Sequence, residues 1–145
     1  MKQECVCDWM TREVITISPN TSLAEAHKLM IEKGIRRLPV VHDGRLVGIV
    51  TLGDVRGAEP AHASSLNLSE TDHLLAKLKI FEFMTQRPVT ILEKASIREA
   101  ALMMLEQKFS GLPVVDEAGR LVGIITESDI FRLVATEWSK DEGEA

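Results

Sequence analysis

"RLVGIITESDI" occupies residues 120–130, and "RLVGIVTLGDV" occupies residues 45–55. Core packing alone would constrain the apolar letters and leave the polar ones to drift. Yet both stretches carry Thr-x-x-Asp near their ends, as Thr51/Asp54 and Thr126/Asp129. The likeness extends upstream from these blocks. Aligning Val6 with Ile80 sets "VCDWMT" (6–11) over "IFEFMT" (80–85), "VITI" (14–17) over "PVTI" (88–91), and "LPVV" (38–41) over an identical "LPVV" (112–115). One extra residue near Ala118 then brings the two RLVGI blocks into line. The chain is one unit written twice.

Each copy reads as strand, helix, strand, strand, helix. Residues 14–17 are a short β-favouring run stopped by Ser18-Pro19-Asn20. Ser22-x-x-Glu25 and Ser96-x-x-Glu99 are capping-box signatures, in which a Ser side chain and a Glu three residues on satisfy the first free N–H groups of a helix. Leu23, Ala26 and Met30 follow at helical spacing, as do Ile97, Ala100 and Met104, and Gly34 ends the first of these helices. Residues 38–41 and 46–50 are apolar strands joined by "HDGR", whose Asp-Gly marks a tight hairpin; the second copy has "DEAGR". A closing helix starts at each Thr-x-x-Asp. The first strand–helix–strand step is expected as a right-handed parallel crossover. A unit this small buries its sheet poorly by itself, so two copies are expected to pack about a pseudo-twofold axis. The fold class is α/β, as two β-α-β-β-α repeats: residues 6–57, then a breaker-rich linker with a connecting helix over 58–79, then 80–136, then an acidic, frayed tail over 137–145.

Composition bounds the chemistry. With 45% hydrophobic and 27% charged residues, the 145-residue chain can build a core and remain in solution. It contains no run long and apolar enough for a membrane span, and its start lacks an apolar signal region, so the expectation is a cytoplasmic protein with no membrane partner. A net charge of −5 argues against a nucleic-acid partner, which needs a basic footprint. Cys5 and Cys7 are the only cysteines and the four His are scattered, so no metal site is expected and the thiols are expected to be reduced.

Thr followed three residues later by an acid is, at its plainest, a helix cap. A second use is available to the same atoms. Helix-start N–H groups suit an anion, and a carboxylate can accept the two hydroxyls of a ribose, as the acid of a dinucleotide fold does. Gly48 and Gly123 would let a ligand approach the backbone closely. Arg36-Arg37 precede Leu38-Pro39, where Pro39 pushes Leu38 toward extended geometry. Neighbouring side chains on an extended segment face opposite ways, so one Arg would reach a cleft and the other a rim. The second copy has Ser110-Gly111 there and no charge, so the two sites would be unequal.

At these residues the unit resembles the cystathionine-β-synthase-type (CBS) repeat, and the pair resembles a tandem CBS pair, or Bateman module, of the stand-alone bacterial and archaeal kind. The motifs that carry the likeness are "RRLPVVHDGRLVGIVTLGDV" and "SGLPVVDEAGRLVGIITESDI" with their preceding "MT" segments. The resemblance implies clefts that bind adenosine compounds, namely AMP, ADP, ATP or S-adenosylmethionine, as regulatory ligands rather than catalytic cofactors. Carried over by position, it implies Asp54 and Asp129 at ribose hydroxyls, with Thr51 and Thr126 near phosphate. It implies that Ile15, Thr16, Val89 and Thr90, with Ile35 to Arg37, Phe109 to Gly111, Pro39 and Pro113, line the adenine slot, and that Arg36 and Arg37 are phosphate contacts in a cleft completed either by Thr51/Asp54 or by Thr126/Asp129. It further implies a homodimer by stacking of CBS pairs and an unidentified effector protein. No nucleophile–base pair stands out, so the chain reads as a sensor and not an enzyme. The competing reading is a dimerisation module whose Thr-x-x-Asp motifs serve only as caps.

Overall fold

The computed structural model describes residues 4–63 and 68–144. In chain order the elements are α1 (Val6–Trp9), α2 (Leu23–Lys33), β1 (Arg37–His42), β2 (Arg45–Thr51), α3 (Leu52–Ala63), α4 (Leu68–Lys77), a 3-10 turn (Ile80–Glu82), β3 (Thr85–Gln86), β4 (Ile91–Leu92), α5 (Ile97–Gln107), β5 (Gly111–Val115), β6 (Leu121–Thr126) and α6 (Glu127–Glu144). They form two compact units. One is Ile15–Pro88, and the other runs from Val89 onward and includes the segment ending at Val14.

In the Ile15–Pro88 unit, Ser22 Oγ accepts from the Glu25 N–H at 3.1 Å, starting α2, and Gly34 ends it at φ 64°. Leu23, Ala26 and Met30, one helical stripe, are buried against Leu38, Val40 and Val50 of the β1–β2 hairpin. Asp43 and Gly44 both take positive φ (51° and 78°), the geometry a two-residue hairpin turn demands. The sheet order is β1-β2-β3, all antiparallel. The strand expected over residues 14–17 is a single parallel bridge, Ile17 to Val40, because Ser18-Pro19 turns the chain away at once.

The other unit repeats this plan. Ser96 Oγ accepts from the Glu99 N–H at 3.1 Å to start α5. The sheet order is β4-β5-β6, with β4 parallel to β5. Here the expected first strand, residues 88–91, forms at Ile91–Leu92. Asp116 Oδ1 accepts from the Ala118 and Arg120 N–H groups, each at 2.9 Å, which closes the longer hairpin around Gly119. Ile97, Ala100 and Met104 bury against Leu112, Val114 and Ile125.

Each unit draws its last edge from the other repeat. Val6 and Met10 belong to the core around Leu112 and Ile125, and Thr11 exchanges backbone hydrogen bonds with Ile124 at 2.8 and 2.9 Å. In turn Ile80 belongs to the core around Leu38 and Val50, and β3 pairs with Gly48 and Ile49 of β2.

Two local expectations are corrected, and a third is found as expected over the described residues. The segment read as linker from residue 58 is helical through Ala63, because Leu52, Val55 and Ala58 continue an apolar stripe past Gly57. Of the connecting helix, Leu68–Lys77 is formed, while residues 66 and 67 lie outside the described residues. The acidic stretch from residue 137, expected as a frayed tail, continues α6 to Glu144, with Lys140 paired to Glu137 at 3.5 Å one turn back; Ala145 lies outside the described residues. Among the described residues no helix is long and apolar enough to cross a membrane.

Candidate functional site

The end of β1 and the start of α3 meet because of strand register. Arg37 is the Cα partner of Thr51, the residue at which β2 becomes α3. The Leu52 N–H donates to the Arg36 carbonyl at 2.8 Å, so the residue before the strand closes the first turn of the helix. Arg36 is exposed and Arg37 half-buried, the split expected for neighbours on extended chain. Thr51 and Asp54 then cap each other: the Asp54 N–H donates to Thr51 Oγ1 at 3.1 Å, and the Thr51 N–H donates to Asp54 Oδ2 at 2.9 Å. This is a complete capping box, so the plain reading of the motif is correct as far as it goes. It leaves the second carboxylate oxygen unused: among the described residues, no hydrogen bond or ion pair reaches Asp54 Oδ1. Ile15, Thr16, Ile35 and the buried Pro39 lie in the same unit, and Ile15 and Ile35 each pack against its core.

The second repeat reproduces the backbone and changes the side chains. Gly111 is the partner of Thr126, and the Glu127 N–H donates to the Ser110 carbonyl at 3.1 Å. Gly111 and Pro113 are buried within β5, Val89 and Thr90 are half-buried, and Phe109 and Ser110 are exposed. The Asp129 side chain, only 4% exposed, accepts at Oδ2 from the Thr126 N–H (2.9 Å) and the Thr126 hydroxyl (3.1 Å). At Oδ1 it accepts from the Thr11 hydroxyl (3.3 Å) and from Arg132 Nη2 (3.0 Å). The same Arg132 nitrogen donates to the Trp9 carbonyl at 3.1 Å, and the guanidinium lies 5.8 Å from the Trp9 ring centroid.

Two sequence expectations change here. Gly48 and Gly123 do provide close backbone approach, but the chain itself uses it. A Cβ at Gly48 would lie 2.5 Å from Met84 Sδ and 3.1 Å from the Thr85 carbonyl oxygen. At Gly123 it would lie 2.6 Å from Met10 Sδ and 2.9 Å from the Thr11 carbonyl oxygen. Each glycine makes room for the Met-Thr of the other repeat. The turn into α1 brings Cys5 and Cys7, expected as separate reduced thiols, together with their Cα atoms 5.2 Å apart, a spacing that a disulfide spans. Sequence reading also missed Thr11 and Arg132. The available signal was the repeat alignment itself, which pairs Arg132 with Gly57, and the i,i+3 spacing of Arg132 from Asp129.

Comparison with known proteins gives a consistent picture. The CBS domain family model matches residues 6–60 and 80–136. The chain is 35% identical over 139 residues to the uncharacterized protein MJ1225 of Methanocaldococcus jannaschii, covering 92% of this chain but 48% of that one, so it spans about half of that relative. Among solved structures it is similar to CBSX2, from Arabidopsis thaliana, in complex with AMP, at 30% identity and a TM-score of 0.77, covering 92% of this chain and 97% of that one. It is also similar to the CBS domain pair of protein MJ0100 in complex with 5'-methylthioadenosine and S-adenosyl-L-methionine, at 34% identity and a TM-score of 0.75, covering 94% and 99%. A duplicated unit, two small sheets with a Thr-x-x-Asp helix start in each, and these likenesses together place the chain in the CBS domain family, as a tandem CBS pair.

Proposed function

We propose that this CBS pair is a regulatory module that binds an adenosine-containing ligand at its Thr-x-x-Asp helix starts and signals occupancy to another protein. The observation that carries the reading is Asp54: a carboxylate fixed by its own helix cap, with Oδ1 directed to no protein donor among the described residues. Such an oxygen suits a ribose hydroxyl, and the adjacent helix start and Arg36 suit phosphate. The relatives solved with AMP, and with 5'-methylthioadenosine and S-adenosyl-L-methionine, support this ligand class. In this reading Asp54 and Asp129 are the ribose positions and Thr51 and Thr126 lie near phosphate. The half-buried Ile15, Ile35, Val89 and Thr90, with Thr16, Phe109, Ser110 and Gly111, flank the base, and Arg36 and Arg37 serve phosphate. Pro39 and Pro113 hold the strands in place. The module acts in the cytoplasm, without catalysis, as a homodimer and through an effector protein.

A thermal-shift series against AMP, ADP, ATP, S-adenosylmethionine and NAD tests this. Ligand at 100 times its Kd adds about 2.7 kcal/mol of stability to the bound state. Stabilisation by adenosine compounds, and not by guanosine counterparts, supports the reading. The second reading, a dimerisation module, is favoured by the completeness of the Thr51/Asp54 capping box. It is the one left standing if no adenosine compound shifts the transition.

A further inference from the structure

The two Thr-x-x-Asp motifs, alike in sequence, differ in what already occupies them. An ionised carboxylate offers about four acceptor positions, two on each oxygen. At Asp129 four donors fill them: the Thr126 N–H, the Thr126 hydroxyl, the Thr11 hydroxyl and the Arg132 guanidinium. At Asp54 the Thr51 N–H is the one donor found among the described residues. The counterpart of Arg132 is Gly57, three residues after Asp54 as Arg132 is three after Asp129, and a Cβ placed at Gly57 would meet nothing within 4 Å. The counterpart of Thr11 is Thr85, whose hydroxyl makes no such bond to Asp54 among the described residues.

We infer that Arg132 is an internal latch on the second repeat. It occupies the acceptor positions that a ribose diol would need at Asp129, and it leaves the Asp54 motif of the first repeat as the open ligand position. This rests on the proposed binding of adenosine compounds and adds to it which motif is filled and what controls the other. The physical competition favours the latch. A ribose hydroxyl and the guanidinium would both make charge-assisted bonds to the ionised carboxylate, but only the guanidinium adds the attraction of opposite charges, and it is already in place at 3.0 Å. Arg132 is held further by the Trp9 carbonyl and ring. A ligand entering at Asp129 must break that arrangement and leave a buried carboxylate to be satisfied anew. At Asp54 Oδ1 it meets no bond to break among the described residues. The latch also ties the segment carrying Trp9 and Thr11 to the first turns of α6, so whatever opens Asp129 also releases that segment.

Isothermal titration with AMP tests the latch on the full chain. Wild type should take one AMP per chain. Asp54→Asn should weaken that site at least about tenfold, the scale of one hydrogen bond to a charged group. Arg132→Ala should raise the stoichiometry to two. The reciprocal variant, Gly57→Arg, should build the same pair at Asp54 and weaken AMP at least about tenfold, and arginine in this open helical position favours the fold over glycine. Two equal sites in wild type overturn the latch. So does a single site lost in Asp129→Asn and kept in Asp54→Asn, an unchanged stoichiometry in Arg132→Ala, or an unchanged affinity in Gly57→Arg. Absence of AMP and other adenosine compounds from every variant overturns the ligand reading itself, which is a separate result.

Discussion

Met84 lies over Gly48 so closely that a single added methyl at that glycine would sit 2.5 Å from the Met84 sulfur. The same relationship joins Met10 to Gly123, at 2.6 Å. The glycines are therefore seats for the Met-Thr segment of the opposite repeat. Because the Thr11 carbonyl would stand 2.9 Å from a Cβ at 123, and the Thr85 carbonyl 3.1 Å from one at 48, backbone as well as a flexible side chain must give way. Gly123→Ala should cost about 2–3 kcal/mol and Gly48→Ala somewhat less, within the range for overpacking. Urea denaturation of both variants measures this, and changes under about 0.5 kcal/mol in both would show that the segments are not seated as described.

The two aspartates should differ in stability as they do in hydrogen bonding. Asp129→Ala leaves the half-buried Thr126 N–H without its cap acceptor and removes the partner of the exposed Thr11 hydroxyl and Arg132 guanidinium. A loss of about 1–3 kcal/mol is expected, most of it from the lost cap and the hole left by a buried side chain. Asp54→Ala removes one side of a capping box at a half-buried position, costing about 0.5–2 kcal/mol. Denaturation midpoints should rank Asp129→Ala below Asp54→Ala, and the opposite order would contradict the bonding described.

Removing residues 1–11 should harm the second repeat more than the first. Val6, fully buried, and Met10 belong to the core around Leu112 and Ile125, and Thr11 pairs with Ile124. Hydrogen exchange should show lost protection over residues 111–126 with protection over 37–51 retained. Equal loss in both hairpins, or loss confined to the first, would refute the exchange of leading segments.

Arg36→Ala/Arg37→Ala should lower affinity for AMP while leaving adenosine nearly unchanged. Paired guanidiniums recognise phosphate and not ribose, and the expected loss is about 1.5–3 kcal/mol. The salt dependence of AMP binding should fall with it. A double variant that keeps the wild-type ratio of AMP to adenosine affinity would leave both arginines without a role at phosphate.

Self-association should depend on the exposed apolar residues of α5 and α6. Leu105 is 75% exposed and Phe131 66% exposed, large apolar surface on two well-formed helices. Leu105→Glu/Phe131→Glu should shift the sedimentation of a homodimer toward monomer without unfolding the chain. A wild-type protein that sediments only as a 16.1 kDa monomer at micromolar concentration would exclude the homodimer.

By itself the sequence determined what is settled within a few residues. Ser22 and Ser96 as helix caps, Gly34 as a helix end and Asp43-Gly44 as a turn were legible because capping and turn chemistry act over three or four positions. The duplication was legible because it is a property of the letters alone, and with it came the Thr-x-x-Asp positions. Tertiary structure decided the rest. Whether Gly48 and Gly123 make room for a ligand or for Met84 and Met10 depends on where a distant segment returns. Whether a Thr-x-x-Asp carboxylate is open or occupied depends on Thr11, 118 positions away from Asp129, and on the rotamer that carries Arg132 back to it. The two motifs read almost alike because local spacing encodes the cap. They differ in three dimensions because a carboxylate's remaining acceptor positions are filled by whatever the fold brings beside them.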